Sequence, residues 1–279
     1  MDGRGDLHAR GLSLVRERES ARIPRCIGSP HRRGRDRDRS RSMQQLKDQR
    51  FLVLGGSSGI GLATARAAAG AGAAVTVASR SRDKLDAALA AIGGTARAVV
   101  LDTTDNGAVE RFFADESPWD HVAISAAETA RGPVRGLGLD AARAAMESKF
   151  WGAYQVARAA RIGPGGSLTF VSGYMSERPL ATAVLQGAIN AALEGLARGL
   201  ALELAPVRVN TVSPGLIETP LWSRMAEADR AAMFANAAER LPARRVGRPE
   251  DVANAVLFLA ATPFATGSTL RLDGGAAIA

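Results

Sequence analysis

The strongest constraint on the fold is a regular alternation of short β-rich segments and longer helical segments, which begins at Arg50 and continues almost to the end of the chain. Ala- and Leu-rich stretches of helix length separate the apolar runs. Most of these runs are continuously apolar, which predicts strands buried on both faces. The pattern therefore predicts an α/β fold, with a doubly wound parallel sheet of about seven strands and helices on both faces. The predicted strands are 51–54, 74–78, 96–101, 121–124, 167–171, 207–212 and 268–272.

The charge distribution separates an N-terminal segment from the rest of the chain. Residues 1–42 contain 12 Arg and 6 acidic residues, whereas the remainder contains 24 basic and 22 acidic residues. The alternating charges of residues 31–42 cannot bury enough apolar surface to fold. We expect residues 1–42 to be a disordered Arg-rich tail or upstream sequence translated from a misassigned start, with a targeting or nucleic-acid arm as the alternative. Residues 43–279 are expected to form a single domain.

The composition of residues 43–279 argues against several classes of protein. Their charge is nearly balanced, so no basic surface for nucleic acid is indicated. Arg66 interrupts the longest stretch of small residues, which leaves no run of about 18 uncharged apolar residues that could span a membrane. The one cysteine, Cys26, lies in the tail, so we expect neither a disulfide framework nor a metal site. These features predict a cytoplasmic protein.

A glycine-rich turn follows the first predicted strand. The segment GGSSGIGLA, residues 55–63, runs from that strand into a helical segment. Gly55 suits a tight turn, Gly59 a close approach of the backbone to a pyrophosphate, and Gly61 close packing of the helix. The helix N-terminus would then hold the phosphates. Because the turn stands at the first strand of a βαβ pattern, it predicts a dinucleotide site.

Four further motifs follow in order: DTTD at 102–105, SPGLIET at 213–219, GRPEDVA at 247–253 and TGSTLRLDGG at 266–275. With the glycine-rich turn, they make the chain resemble the short-chain dehydrogenase/reductase family over essentially residues 45–277. One departure is Leu54, since the family usually has Thr before the first glycine. The resemblance implies a single Rossmann-type domain, a nicotinamide cofactor and hydride transfer. Relatives are commonly dimers or tetramers, so we expect a homodimer or homotetramer, with amphipathic helices at 139–160 and 186–205.

The end of the second strand decides which dinucleotide is expected. An acidic residue there would repel a 2′-phosphate, whereas an arginine can pair with it. This chain has Ser79 and Arg80, which favours NADP(H). The alternative is that Arg80 and Arg82 are solvated loop charges.

The resemblance also assigns the remaining cofactor contacts. Asp102 would contact the adenine, and Ile217 and Thr219 would contact the nicotinamide end. The alternatives are a turn-forming aspartate and a helix cap. The predicted cofactor set is Gly55, Ser57, Ser58, Gly59, Ile60, Gly61, Ser79, Arg80, Asp102, Thr103, Ser125, Ala126, Pro214, Gly215, Ile217 and Thr219.

All four positions at which the family carries catalytic residues have changed. Alignment with the family puts Gly173 at the Ser position, Gln186 at the Tyr position, Asn190 at the Lys position and Lys149 at the Asn position. A phenol that protonates an alkoxide near neutral pH needs a nearby cation. A primary amide has no proton to give and carries no charge. The chain therefore cannot use the Tyr/Lys relay of the family.

The amides nevertheless face inward on a helical wheel of about 100° per residue. They begin a core-facing stripe, and Lys149 lies on the buried arc of its own helix, which suggests a retained pocket. The alternative is that the amides bond to backbone carbonyls and that Lys149 reaches water. The stripe is Gln186, Ile189, Asn190, Leu193, Leu196, Ala197, Leu200 and Leu204, whereas Glu194, Arg198 and Glu203 are predicted to point elsewhere.

Two other residues could supply chemistry, and His121 is interpreted as structural. Tyr174 would reach the pocket only if the chain turns after Gly173, because successive strand residues point to opposite faces. Glu128 follows the fourth strand at the edge where ligands bind. Trp222 falls in the segment that covers substrate in relatives.

Three functions remain open at this point. The leading hypothesis is an atypical NADP(H)-dependent oxidoreductase whose proton comes from water, Lys149 or Tyr174, with Gln186 and Asn190 in the pocket. The second is a catalytically silent nucleotide-binding subunit or sensor. The third is a non-redox isomerase or lyase that uses Lys149 or Glu128 as its acid or base.

Overall fold

The computed structural model describes residues 46–279, so the predicted tail of residues 1–42 lies outside the described residues. Seven parallel strands form one sheet in the order β3-β2-β1-β4-β5-β6-β7. The predicted fold class is confirmed. The strands are β1 (Arg50–Leu54), β2 (Ala74–Ser79), β3 (Arg97–Val100), β4 (Trp119–Ile124), β5 (Ile162–Val171), β6 (Arg208–Pro214) and β7 (Thr269–Leu272).

Helices connect the strands and cover both faces of the sheet. One face carries Phe113, Val156 and Leu193 in a single apolar cluster, and the other carries Ala65, Leu85 and Val256 in a second cluster. The helices are α1 (Gly59–Gly70), α2 (Arg82–Ile92), α3 (Asn106–Asp115), α4 (Leu139–Met146), α5 (Gly152–Ala159), α6 (Val184–Glu203), α7 (Glu227–Arg240) and α8 (Pro249–Ala261). The central strands are thus buried on both sides, as their continuous apolar runs predict.

The predicted strand limits agree with the observed ones to within two residues except at β5. This strand begins at Ile162, five residues before the predicted start at 167, because Ile162 pairs with Trp119 of β4 across an irregularity in the register. The added residues include Gly163, Pro164, Gly165 and Gly166, which are residues that usually mark turns. This part of the strand therefore could not be predicted from composition alone.

The helix predicted at 139–160 is interrupted by a π-helical turn at Glu147–Trp151. A π-turn inserts one extra residue into the helical repeat, and such turns occur frequently at functional sites. Lys149 is the central residue of this turn. The turn separates α4 from α5, and it changes the face that each following residue presents.

Two buried polar groups stabilise the amino edge of the sheet. Arg208, 7% exposed, donates hydrogen bonds to the carbonyls of Leu259, Ala260 and Thr262 at 2.6, 2.7 and 3.0 Å. These carbonyls are the unpaired acceptors at the C-terminus of α8, so the guanidinium serves as its cap.

His121 lies at the same edge and is 3% exposed. Its Nε2 donates to Gln49 Oε1 at 2.7 Å, and its Nδ1 accepts from Ser167 Oγ at 2.8 Å. Burial, followed by the charge of Arg208, lowers the pKa of His121 to about 4. The imidazole is therefore neutral near pH 7, in accord with a structural role.

Within residues 46–279, no helix has the length and apolar character needed to cross a bilayer. The same residues contain no cluster of three His, Cys, Asp or Glu side chains arranged to bind a metal ion.

Candidate active site

The glycine-rich turn lies where the strand order reverses, between β1 and β4. Gly55 has φ of +80°, and a Cβ there would lie 2.5 Å from the backbone nitrogen of Ala126. A Cβ on Gly61 would collide with the carbonyl oxygen of Gly55, and Ser125 Oγ donates to the carbonyl of Leu54 at 3.2 Å. The turn is therefore packed too closely for side chains, which leaves the backbone of its glycines and of Ser57, Ser58 and Ile60 to border the cleft.

The segment after β6 closes over this turn. A Cβ on Gly59 would lie 3.4 Å from the side chain of Thr219, and Ile217 is 7% exposed. Pro214 is buried at the end of β6, and a Cβ on Gly215 would lie 2.7 Å from Asp273 Cα. The predicted nicotinamide-side residues thus lie at the same sheet edge as the glycine turn.

The end of β2 has one buried polar atom without a partner. Ser79 Oγ has no hydrogen-bond partner among the described residues. Arg80 Nη2 donates to Glu128 Oε2 at 2.7 Å, so the arginine is held by the loop after β4. An unpaired hydroxyl and an arginine at this place fit a phosphorylated ribose.

Asp102 and Thr103 follow β3 in a tightly bonded turn. Asp102 Oδ1 accepts from the backbone nitrogen and from Oγ1 of Thr104, each at 2.9 Å. This is the turn-forming geometry that the sequence leaves open as an alternative to adenine binding. Thr103 is 8% exposed, and a Cβ on Gly152 would lie 2.9 Å from its hydroxyl oxygen.

Lys149 extends to the carboxyl end of β5. Its Nζ donates to Asn190 Oδ1 at 2.6 Å and to the carbonyl of Ser172 at 2.8 Å. Burial, followed by the charge of Arg131, lowers the pKa of Lys149 to about 8, and the charge of Glu194 partly opposes this shift. An ammonium has three N–H donors, so one of them remains uncommitted among the described residues.

The structure places Lys149 and Asn190 in contact, the two residues that the resemblance assigns to the family's Asn and Lys positions. Lys149 supplies a cation from the π-turn, and Asn190 supplies an amide from α6. A Cβ on Gly173 would lie 2.8 Å from Asn190 Nδ2, so the amide fills the space beside this glycine. The site therefore retains an ammonium, which it receives from the opposite helix.

Gln186 is buried without partners. The residue is 4% exposed, and neither Oε1 nor Nε2 has a hydrogen-bond partner among the described residues. The alternative that both amides bond to backbone carbonyls is therefore wrong for Gln186, and Asn190 is partnered by Lys149 instead. A buried unpaired amide costs about 1–3 kcal/mol, so its retention calls for a functional explanation.

Replacing this amide by an apolar group is expected to stabilise the protein. Gln186→Met keeps the length of the side chain and removes two unpaired polar atoms. We expect the free energy of unfolding, measured by urea denaturation, to rise by about 1–2 kcal/mol. Gln186→Glu is the matched control. This variant should lower the free energy of unfolding, because it buries a carboxylate at the same place. A loss of stability in Gln186→Met would show that the amide has partners in solution.

Tyr174 meets the condition set by the sequence. β5 ends at Val171, and a 3-10 turn begins at Tyr174, so the chain does turn after Gly173. The residue is half-buried and lies close enough to Arg131 for its hydroxyl to act on the pKa of that arginine. Tyr174 therefore remains within the candidate site.

The prediction that Glu194 points away from the core is wrong. Glu194 is 7% exposed, and its Oε1 accepts hydrogen bonds from Ser172 Oγ at 2.8 Å and from Ser176 Oγ at 2.7 Å. The reason is that α6 packs against the 3-10 turn as well as the sheet, so a second helix face is buried. The two serines in the predicted loop were the signal that a buried acceptor could be nearby.

Arg131 is a second residue that the sequence did not identify. It lies in the long loop after β4, where no periodicity indicates which side chains meet. Its guanidinium stands 4.8 Å from the ring centroid of Trp222, in the segment after β6. Desolvation lowers the pKa of Arg131. The two loops that flank the cleft are thus joined by a cation-π contact.

The doubly wound sheet, the tight glycine turn at its switch point and the polar cluster beside it define a dinucleotide-binding domain with a candidate catalytic cleft. A family model described as Enoyl-(Acyl carrier protein) reductase matches residues 55–277. The chain belongs to the short-chain dehydrogenase/reductase family, and its fold is that of a short-chain oxidoreductase.

Three relatives illustrate the similarity. A short-chain dehydrogenase/reductase of Stachybotrys chlorohalonatus is 34% identical over 84% of this chain and 99% of its own length. A small-chain dehydrogenase solved in complex with NADPH is 31% identical, with a TM-score of 0.71, over 84% of this chain and all of that one. An NADPH-bound short-chain oxidoreductase from Pseudomonas aeruginosa PAO1, described as containing an atypical catalytic center, is 30% identical, with a TM-score of 0.76, over 82% of this chain and 96% of that one.

Proposed function

We propose that this protein reduces a carbonyl compound with NADPH and that Lys149 donates the proton that a tyrosine donates in its relatives. The observation that carries the proposal is the position of the Lys149 ammonium. Two of its N–H groups are bonded to Asn190 and to the carbonyl of Ser172, and the third is uncommitted. The NADPH complexes of two relatives support the choice of cofactor.

NADPH, when bound, supplies a hydride to the carbonyl carbon, and the carbonyl oxygen gains the C=O electron pair and needs a proton. The glycine turn would hold the pyrophosphate at the N-terminus of α1. Ser79 and Arg80 would hold the 2′-phosphate, once Arg80 has been released from Glu128.

Lys149 is suited to give that proton near neutral pH. A general acid works best when its pKa lies close to the working pH, and burial brings the pKa of Lys149 to about 8. Asn190 and the Ser172 carbonyl orient the ammonium, and the neutral amine formed by the transfer regains its proton from water. Gln186 would direct its unpaired amide to the substrate oxygen, which would give this group a partner.

The alternatives make different predictions for the same measurements. A silent nucleotide-binding subunit would bind NADPH and leave it unchanged with every aldehyde, ketone and quinone, whereas an isomerase or lyase would convert a substrate without net consumption of NADPH. We further propose a small-molecule substrate and a cytoplasmic location. We also propose a homodimer or homotetramer, and sedimentation analysis would test this oligomeric state.

The cofactor part of the proposal is tested at Arg80. Arg80→Gln is expected to raise the dissociation constant for NADPH by about tenfold or more, because one charge-assisted contact to the 2′-phosphate is lost. Binding of NADH should change little. Arg82→Gln is the matched control, since Arg82 faces Asp86 within α2 at 3.6 Å. Equal effects of the two variants on NADPH, measured by quenching of cofactor fluorescence, would contradict the assignment.

A further inference from the structure

Arg131 is held in place by an aromatic platform beside the cleft. Its guanidinium packs over Trp222 at 4.8 Å from the ring centroid. Trp222 Nε1 donates to the carbonyl of Ile217 at 3.0 Å, which fixes the indole. A guanidinium stacked in this way keeps its in-plane N–H donors available for a planar acceptor.

These donors have no acidic partner in the part of the chain that the structure describes. The ion pairs found between residues 46 and 279 do not include Arg131, and the carboxylate after β4, Glu128, is bonded to Arg80. Arg131 lies in the loop after β4, at the same sheet edge as Lys149, whose Nζ donates to the carbonyl of Ser172 just after the neighbouring strand β5. It therefore belongs to the same cleft as the proposed proton donor.

The cleft contains more positive than negative charge. Lys149 and Arg131 are both cationic below pH 8, and Glu194 is the carboxylate among the described residues whose charge acts on Lys149. Glu194 is itself committed to Ser172 and Ser176. A substrate with one negative charge would give the Arg131 guanidinium the acidic partner that it lacks among the described residues.

We propose that the substrate carries a carboxylate in addition to its carbonyl group and that Arg131 binds this carboxylate. The inference rests on the proposed function, because it uses the carbonyl-reducing role of Lys149 to define the other end of the substrate. Arg131 is thus a specificity-determining residue: it binds the part of the molecule that does not react, and it places the carbonyl toward Lys149. A charge-assisted pair of this kind discriminates strongly against a neutral analogue.

The test compares 4-formylbenzoate with its uncharged methyl ester, which present the same aldehyde. The wild-type protein is expected to prefer the carboxylate by about tenfold or more in kcat/KM, measured by NADPH consumption. Arg131→Gln should remove the preference, mainly through a higher KM for 4-formylbenzoate, and should change kcat/KM for the ester much less. Arg135→Gln is the control, since Arg135 is an exposed arginine of the same loop. No preference in the wild-type protein, or an unchanged preference in Arg131→Gln, would overturn the inference.

A second readout separates failure of the inference from failure of the proposed function. Titration calorimetry with benzoate and methyl benzoate, on protein loaded with NADP⁺, measures recognition of the carboxylate without any reduction. If neither aldehyde is reduced, the proposed reductase activity is wrong for these substrates. Benzoate binding that is lost in Arg131→Gln and kept in Arg135→Gln would then still establish the anion site, and benzoate binding that is absent or equal in both variants would refute it.

Discussion

Lys149→Met is expected to lower kcat for carbonyl reduction by about 10²- to 10⁴-fold, the contribution that a positioned general acid usually makes. Methionine keeps the unbranched apolar stem and removes the ammonium that bonds to Asn190 and Ser172. Binding of NADPH should be retained, because Lys149 lies at the catalytic side of the cleft. Lys47→Met, at an exposed lysine remote from the cleft, serves as the control and should have wild-type kcat.

The pH dependence gives this prediction a second measurement. If Lys149 donates the proton, the protonated amine is the active form, and burial lowers its pKa to about 8, so kcat/KM should be constant below pH 8 and should fall about tenfold per pH unit above it. The residual kcat/KM of Lys149→Met should no longer change slope near pH 8. If the break near pH 8 persists in the variant, the proton comes from another group, and Tyr174→Phe becomes the variant to test.

Arg208→Met is expected to lower the free energy of unfolding by about 3–5 kcal/mol, the largest effect on stability that we predict. The substitution leaves the carbonyls of Leu259, Ala260 and Thr262 buried without a donor. Urea denaturation followed by circular dichroism would measure the loss. Arg208→Lys should recover part of it, because an ammonium can donate to some of these carbonyls and lacks the planar fork.

Arg198→Met is the matched control for this effect. Arg198 is an exposed arginine on α6, and its replacement should change stability by no more than about 0.5 kcal/mol. A comparable loss in both variants would mean that Arg208 contributes only as a surface charge. In that case the C-terminus of α8 would be stable without its guanidinium cap.

The sequence was sufficient for the sheet because the strand signal is local and strong. Continuous apolar runs such as residues 51–54 have one stable environment, which is a strand covered on both faces. The N-terminal part of β5 was not predicted as a strand because its glycines and Pro164 are typical of a turn. These residues form a strand only through pairing with β4. Long-range pairing of this kind leaves no periodicity in the segment itself.

The candidate site was predicted only in part, because some of its contacts also join residues that are far apart in the sequence. The sequence singled out Lys149, Gln186 and Asn190 as candidates because the resemblance places them at the positions of the family's catalytic residues. The structure brings Lys149 and Asn190 into contact. Glu194 and Arg131 were missed because their importance comes from neighbours on other elements. A helical wheel assumes one buried face, whereas α6 is covered by the sheet and by the 3-10 turn at Tyr174–Ser176. Loop residues such as Arg131 have no repeat from which their neighbours could be inferred.

The ion pair between Arg80 and Glu128 has a consequence for how the two nicotinamide cofactors are distinguished. Its atoms lie 2.7 Å apart, on loops that follow different strands. If NADPH binds as proposed, its 2′-phosphate would replace Glu128 as the partner of Arg80, so that the arginine would change partners without losing one. NADH offers nothing in exchange, and the pair can persist beside it. The preference for NADPH would then be the difference between the arginine–phosphate and arginine–carboxylate interactions, so that Glu128 would reduce this preference.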